Sequence, residues 1–133
     1  MNERIVLIDT SVWVQTLRRD PPPALAEAVR RTILDRRAAT TGMVMLELLG
    51  GVRTERDYRE LSEELRALYY LPVEEAWPGA WQLSFRLRRQ GITVPSADVL
   101  IAAVAVAHRC TLFHSDKHFV VIARHSTLQT REA

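Results

Sequence analysis

Four acidic residues stand apart from the ordinary surface charge of the chain. Asp9 follows the aliphatic run Ile5-Val6-Leu7-Ile8 without a break, and Asp116 closes His114-Ser115-Asp116 just after Thr111-Leu112-Phe113. Asp98 lies in the first turn of a strongly apolar stretch that ends near His108, and Glu47 sits inside Met43-Val44-Met45-Leu46-Glu47-Leu48-Leu49. Carboxylate oxygens are hard ligands that suit magnesium or manganese, and magnesium takes one or two of them beside water and substrate phosphate. Four such acids in one place would raise one another's pKa values and repel. A divalent cation removes that cost, and it can also activate water against a phosphodiester and stabilise the leaving oxygen. Simpler roles exist for each acid taken alone: turn chemistry for Asp9 and Asp116, dipole complementation for Asp98, and a salt bridge from Glu47 to nearby Arg53.

Other chemistries find less support. The chain has no GxxxxGK[ST], GxGxxG or HExxH pattern, and no Gly-x-Ser-x-Gly elbow. His108, His114, His118 and His125 lack a cysteine set, so zinc is not the expected ion. A phosphatase using Asp9 as nucleophile would want a second aspartate where Ser11 stands.

The elements that must position these acids follow from periodicity. Ile5–Ile8 has no polar alternation, which suits a strand buried on both faces. Thr10 or Ser11 can cap a helix carrying Val12, Trp13 and Leu17, and Pro21-Pro22-Pro23 stops it. A helix over Ala24–Arg37, a short strand over Ala38–Thr41 and a helix around Glu47, closed by Gly50-Gly51, come next. Thr54–Leu68 reads as a polar helix with Tyr58, Leu61, Leu65 and Leu68 on one face, and Tyr69–Val73 as a strand. In the helix Ala76–Arg89, closed by Gly91, the spacing of Trp77, Trp81 and Phe85 predicts a stripe facing the core. Ser96 is the expected N-cap of the helix that carries Asp98. Thr111–Phe113 is a strand, followed by a turn or short helix and a weak strand near Leu128.

Strands alternating with helices argue for a parallel α/β sheet, in which ligands bind outside the carboxyl ends of the strands. That places Asp9 and Asp116 at one edge. Asp98 precedes its strand and is not placed there by this argument alone.

With 133 residues, 47% hydrophobic and 26% charged, the expectation is one globular domain over 1–133 that needs no disulfide. Cys110 has no partner in the chain and reads as a small buried hydrophobe in a reducing compartment. No signal-peptide pattern opens the chain, and the apolar stretch Val99–Ala107 is too short to span a bilayer, so a cytoplasmic protein without membrane attachment is expected. The net charge of +2 indicates no general grip on nucleic acid. Of the 18 basic residues, however, only Lys117 is a lysine, and arginine suits bidentate phosphate contact. The doublets Arg18-Arg19, Arg30-Arg31, Arg36-Arg37 and Arg88-Arg89 are either RNA contacts or solvated faces.

Four blocks in order carry a family resemblance: Ile5 to Trp13 around Asp9, Glu47 with Gly50-Gly51-Val52-Arg53, Ser96 to Ala103 around Asp98, and Ser115-Asp116-Lys117-His118-Phe119. Together they resemble the motifs of PIN-domain toxins of the VapC type. The resemblance implies a three-layer α/β/α fold with a central parallel sheet of four to five strands flanked by helices. It also implies a magnesium-dependent endoribonuclease, with Mn2+ as substitute, acting on RNA. Such a toxin is held inactive by a cognate antitoxin protein, and family members often form homodimers. By match to the motifs, Asp9 and Asp98 are the principal metal ligands, and Glu47 and Asp116 complete the catalytic acids directly or through water. Thr10 or Ser11 would orient Asp9 or a metal-bound water. Many members carry threonine where this chain has His114, which leaves that residue as either a substrate-phosphate contact or a strand end without a role. The alternative from another class is a non-catalytic PIN-like module that binds RNA or a partner; retention of all four acids speaks against it.

Overall fold

The computed structural model describes residues 4–133, so the first three residues of the expected domain lie outside the described part. Five strands form one sheet: β1 (Val6–Ile8), β2 (Ala38–Thr41), β3 (Tyr69–Leu71), β4 (Thr111–His114) and β5 (Gln129–Glu132). Their order is β3-β2-β1-β4-β5, and every neighbouring pair is parallel. Leu7 lies between Ala39 and Leu112 at the centre, and all three residues are fully buried. This explains the unbroken aliphatic run of β1, because a central parallel strand is covered on both faces. At the edge, β5 is exposed throughout, and it is correspondingly polar.

The chain runs outward from β1 through β2 to β3, then returns to the other side of β1 for β4 and β5. The winding direction therefore reverses between β1 and β4. Such a switch opens a crevice at the carboxyl ends of the two strands.

Seven helices flank the sheet among the described residues: α1 (Thr10–Thr16), α2 (Pro23–Leu34), α3 (Gly42–Gly50), α4 (Glu55–Arg66), α5 (Trp77–Arg89), α6 (Ser96–Ala107) and α7 (Lys117–Arg124). Three of them end alike. After α2, α5 and α6 the residues Arg36, Gly91 and Arg109 take φ values of 55°, 75° and 56°. The following amide reaches back to close the last turn: Arg37 N–H to Thr32 O, Ile92 N–H to Leu87 O, and Cys110 N–H to Ala105 O. This is the Schellman arrangement, which usually has glycine in the left-handed position. Only Gly91 advertises it in the sequence. Arginine occupies the other two positions, so α2 ends at Leu34 rather than at the expected Arg37.

Two sequence expectations are corrected here. Trp81 and Phe85 are 66% and 63% exposed, and Trp77 is also exposed, so this stripe of α5 does not face the core. The buried residues of α5 are Ala80, Leu83 and Leu87. The helix packs against α6, whose buried positions include Ala102, Ala103 and Ala105. Close approach to an alanine-rich helix selects the face with the smaller side chains and leaves the aromatic one outside. Secondly, Ser96 is not an N-cap. Pro95 is the capping residue, Ser96 is already helical, and the cap has no side-chain hydrogen bond. Among the arginine doublets, Arg30 is paired with Glu27 at 2.7 Å and Arg89 lies over the Phe85 ring at 5.7 Å.

Candidate active site

Asp9 leaves β1 while still tied to the sheet, its N–H donating to Phe113 O at 2.9 Å. It serves as the N-cap of α1 in place of Thr10 or Ser11, and its Oδ2 accepts from Ser11 N–H at 2.9 Å and from Ser11 Oγ–H at 2.6 Å. Ser11 Oγ in turn accepts the N–H of Ser115 at 2.9 Å, which ties the start of α1 to the turn after β4. The other oxygen of Asp9, Oδ1, is buried and has no hydrogen-bond partner. Asp9 as a whole is 3% exposed.

Asp116 is the N-cap of α7, with Oδ1 accepting from His118 N–H at 2.9 Å. Both strand-end aspartates thus cap helices, where the sequence suggested only turn chemistry, and each leaves one carboxylate oxygen free of the cap. Asp98, in the first turn of α6, comes to the same rim. Its Oδ2 lies 3.1 Å from His118 Nδ1, and that nitrogen is also 3.1 Å from Asp116 Oδ1.

Glu47 lies on α3, beside the stripe formed by buried Val44 and Leu48. It is exposed rather than enclosed by the apolar residues around it in sequence. Its Oε1 accepts from Thr10 Oγ–H at 2.8 Å. Among the described residues no ion pair joins Glu47 to Arg53.

The electrostatics reflect this convergence. Burial raises the Asp9 pKa, the Ser11 hydrogen bonds oppose the rise, and the Glu47 charge adds to it. Asp98 is pushed up to about 6, first by burial and then by the charges of Asp116 and Asp9, with His118 opposing. A site where burial and neighbouring acids disfavour the charges of Asp9 and Asp98, and where one buried oxygen has no donor, fits a divalent cation.

His114 is 1% exposed, so it is not presented to solvent. Its Nδ1 accepts the N–H of Asp116 at 3.2 Å, and burial lowers its pKa. A neutral ring follows, with the proton on Nε2, and it buttresses the Asp116 turn. Sequence reasoning gave His118 no role of its own: it entered only in the argument against zinc and as part of the block around Asp116. The signal was there: a histidine two residues after a helix-capping aspartate lies in the first turn, next to the cap. Among the described residues, the group of three or more such donors that lie within 4.8 Å of one another is Asp98, Asp116 and His118.

A doubly wound parallel sheet with acids gathered at its β1/β4 switch defines an α/β domain with an acidic site at its strand ends. A family model described as the PIN domain matches residues 6–125, and the chain belongs to the PIN-domain family. Within it, the similarity runs to proteins of the VapC type. The VapC ribonuclease Mb1587 of Mycobacterium bovis is 35% identical over 131 residues, covering 94% of this chain and 96% of that protein. Ribonuclease VapC11 of Mycobacterium tuberculosis matches to the same extent. In three dimensions the chain resembles VapBC2 from Rickettsia felis, solved bound to a DNA fragment from its promoter, with a TM-score of 0.81 at 19% identity over 97% of this chain and 98% of that one. FitAcB from Neisseria gonorrhoeae gives 0.76 at 21% identity over 95% and 96%. At these identities the solved structures establish the fold.

Proposed function

We propose that this protein is a divalent-metal-dependent endoribonuclease and the toxin component of a toxin–antitoxin pair, with Mg2+ as its working ion and Mn2+ as a substitute. The observation that carries the reading is the buried Oδ1 of Asp9, which has no hydrogen-bond donor and lies within electrostatic reach of Glu47 and Asp98. A buried anionic oxygen without a donor is costly, and a cation is the partner that such surroundings accept. Asp9 and Asp98 would hold the ion, with Asp116 and Glu47 completing the acidic set. The chemistry that an ion held by Asp9 and Asp98 would supply is polarisation of a phosphodiester and a lowered pKa for water.

The protein's own contribution is positioning. Ser11 holds Oδ2 of Asp9 from two directions, so Oδ1 stays directed away from the α1 cap. Thr10 holds one oxygen of Glu47 and leaves the other available as a proton acceptor at an exposed position. The His118 amide fixes Asp116, and the His114 ring supports the turn beneath it.

RNA as substrate is supported by the ribonuclease names of the relatives. A protein antitoxin is supported by the solved VapBC complexes. Among the described residues no helix is long and apolar enough to cross a membrane. The reading places the protein in the cytoplasm, as one PIN domain. The test is cleavage of RNA by antitoxin-free protein. Cleavage should vanish in EDTA, return with Mg2+ or Mn2+, and fall by about 100-fold or more in Asp9→Asn and Asp98→Asn. Cleavage that survives both chelation and Asp9→Asn would overturn the reading. RNA binding with no cleavage under any metal would instead favour a binding module.

A further inference from the structure

We propose that Arg4, Arg36, Arg66 and Arg109 form a docking row for the phosphodiester backbone of RNA at the amino edge of the sheet, away from the acidic rim. The choice of RNA rests on the ribonuclease reading above; the row itself is a separate surface.

Strand register creates the row. Leu7 pairs with both Ala39 and Leu112, and Ala39 pairs with Tyr69. Arg4, Arg36, Arg66 and Arg109 each stand three residues before one of these four paired positions. Because neighbouring strands are parallel, one arginine precedes each of β1, β2, β3 and β4 at the same edge. Adjacent strands lie ~4.8 Å apart, so the four positions span roughly 15 Å. All four side chains are exposed, and among the described residues none of them is in an ion pair.

Backbone strain sets two of the four apart. Among the described residues, Arg36 and Arg109 are the non-glycine ones with left-handed φ. A cation gains less from the dipole at a helix end than this backbone costs a residue with a Cβ. Closing α2 and α6 therefore does not account for arginine where glycine is the easier choice. Strain of this kind points to a use for the side chain itself.

The ligand follows from the chemistry of the row. A guanidinium fork matches two phosphate oxygens at once. Arg4 and Arg109 line a cleft of about 340 Å³ together with Thr127 and Gln129, and hydroxyl and amide side chains also donate to phosphates. Thr127 continues the row, standing three residues before Thr130, the partner of Leu112. Asp35 adjoins Arg36 in sequence and Glu64 shares its cleft, which leaves the row net positive. Four cations in line suit a chain of phosphates better than one small anion. The acidic rim, for its part, repels every phosphate that its cation does not neutralise. On a protein whose net charge is only +2, attraction for the rest of the substrate has to be concentrated elsewhere. Arg4 and Asp9 are five residues apart along β1, roughly 17 Å, so an RNA that touches both ends passes around the molecule.

The experiment uses metal-stripped full-length protein in EDTA, which silences cleavage, and a labelled RNA hairpin followed by fluorescence anisotropy over a range of salt. Arg36→Gly combined with Arg109→Gly removes two guanidinium groups and relieves the left-handed backbone at once. Affinity for the hairpin should fall about tenfold or more, and the slope of log Kd against log salt should drop by about 2, one for each phosphate contact. The urea midpoint should rise, so misfolding does not explain the loss. Arg4→Ala should lower the slope by about 1. With Mg2+ present, the double variant should raise KM for the hairpin and leave kcat within about twofold of wild type. Its cleavage of an oligonucleotide of about three nucleotides, too short to reach the row, should change equally little. Unchanged affinity and slope in the double variant would overturn the proposal. A lowered urea midpoint with the slope intact would also overturn it, by assigning the arginines to the helix ends. Lost binding of poly-glutamate with RNA affinity intact would give the row to an acidic protein segment and overturn it as well. A wild type that binds the hairpin through the row yet cleaves nothing with any metal would overturn the ribonuclease reading and support the row.

Discussion

Asp98 is the residue that registers the electrostatic cost of the acidic rim. Its pKa rises from an ordinary 3.8 to about 6, through burial and then the charges of Asp116 and Asp9. The folded protein therefore binds this proton more tightly than the unfolded chain does. The resulting stability is fully present below about pH 3.8 and is lost as pH rises through about 6. In EDTA at pH 7.5, Asp98→Asn should be more stable than wild type by on the order of 1 kcal/mol, after allowance for partial exposure and coupling. The advantage should shrink to nothing near pH 4 and reverse at neutral pH in saturating Mg2+. Chemical denaturation across this range measures it, and a difference that does not move with pH would contradict the assignment.

Helix ends and helix faces make the predictions at the scale of elements. Arg36 and Arg109 hold left-handed backbone at the ends of α2 and α6, a conformation that costs a residue with a Cβ about 1–2 kcal/mol. Arg36→Gly and Arg109→Gly should each stabilise the protein by roughly 0.5–1 kcal/mol in urea, the remainder being offset by the greater freedom of glycine when unfolded. Gly91→Ala should do the reverse by about 1 kcal/mol. No atom lies within 4 Å of the added Cβ there, so the penalty is conformational alone. On α5 the two apolar stripes should behave oppositely. Trp81→Ser, on the exposed side, should change stability by less than about 0.5 kcal/mol, whereas Leu87→Ala, almost fully buried, should cost about 2–5 kcal/mol. Equal losses at the two positions would restore the core reading of the aromatic stripe.

At the scale of the whole molecule, the reversal of winding between β1 and β4 brings the carboxyl ends of these two strands to one crevice. Ser11 is the stitch across it, bonding Asp9 on its own turn and Ser115 on a turn 104 residues away. Ser11→Ala leaves the Ser115 amide and Asp9 Oδ2 each short of a partner. It should cost about 1–3 kcal/mol in urea denaturation. Cleavage should weaken with it, because Asp9 loses the bond that orients it. Full stability in Ser11→Ala would show that the two strand ends are held by the sheet alone.

Much of this was legible in residue order. The aliphatic run before Asp9, the proline block after α1 and the alternation of strands with helices report short-range physics, which acts on neighbours along the chain. The same is true of the positions of Asp9 and Asp116 at strand ends. The strand order, the face that α5 buries, the Thr10 bond to Glu47 and the meeting of His118 with Asp98 were settled only in three dimensions. Each depends on which surface a distant element covers. Trp77, Trp81 and Phe85 have the spacing of a core stripe whether or not an alanine-rich helix prefers the other side. His114 and His118 look equivalent until packing buries one and brings the other against two carboxylates. Periodicity states what a segment can bury; contact with the rest of the fold decides what it does bury.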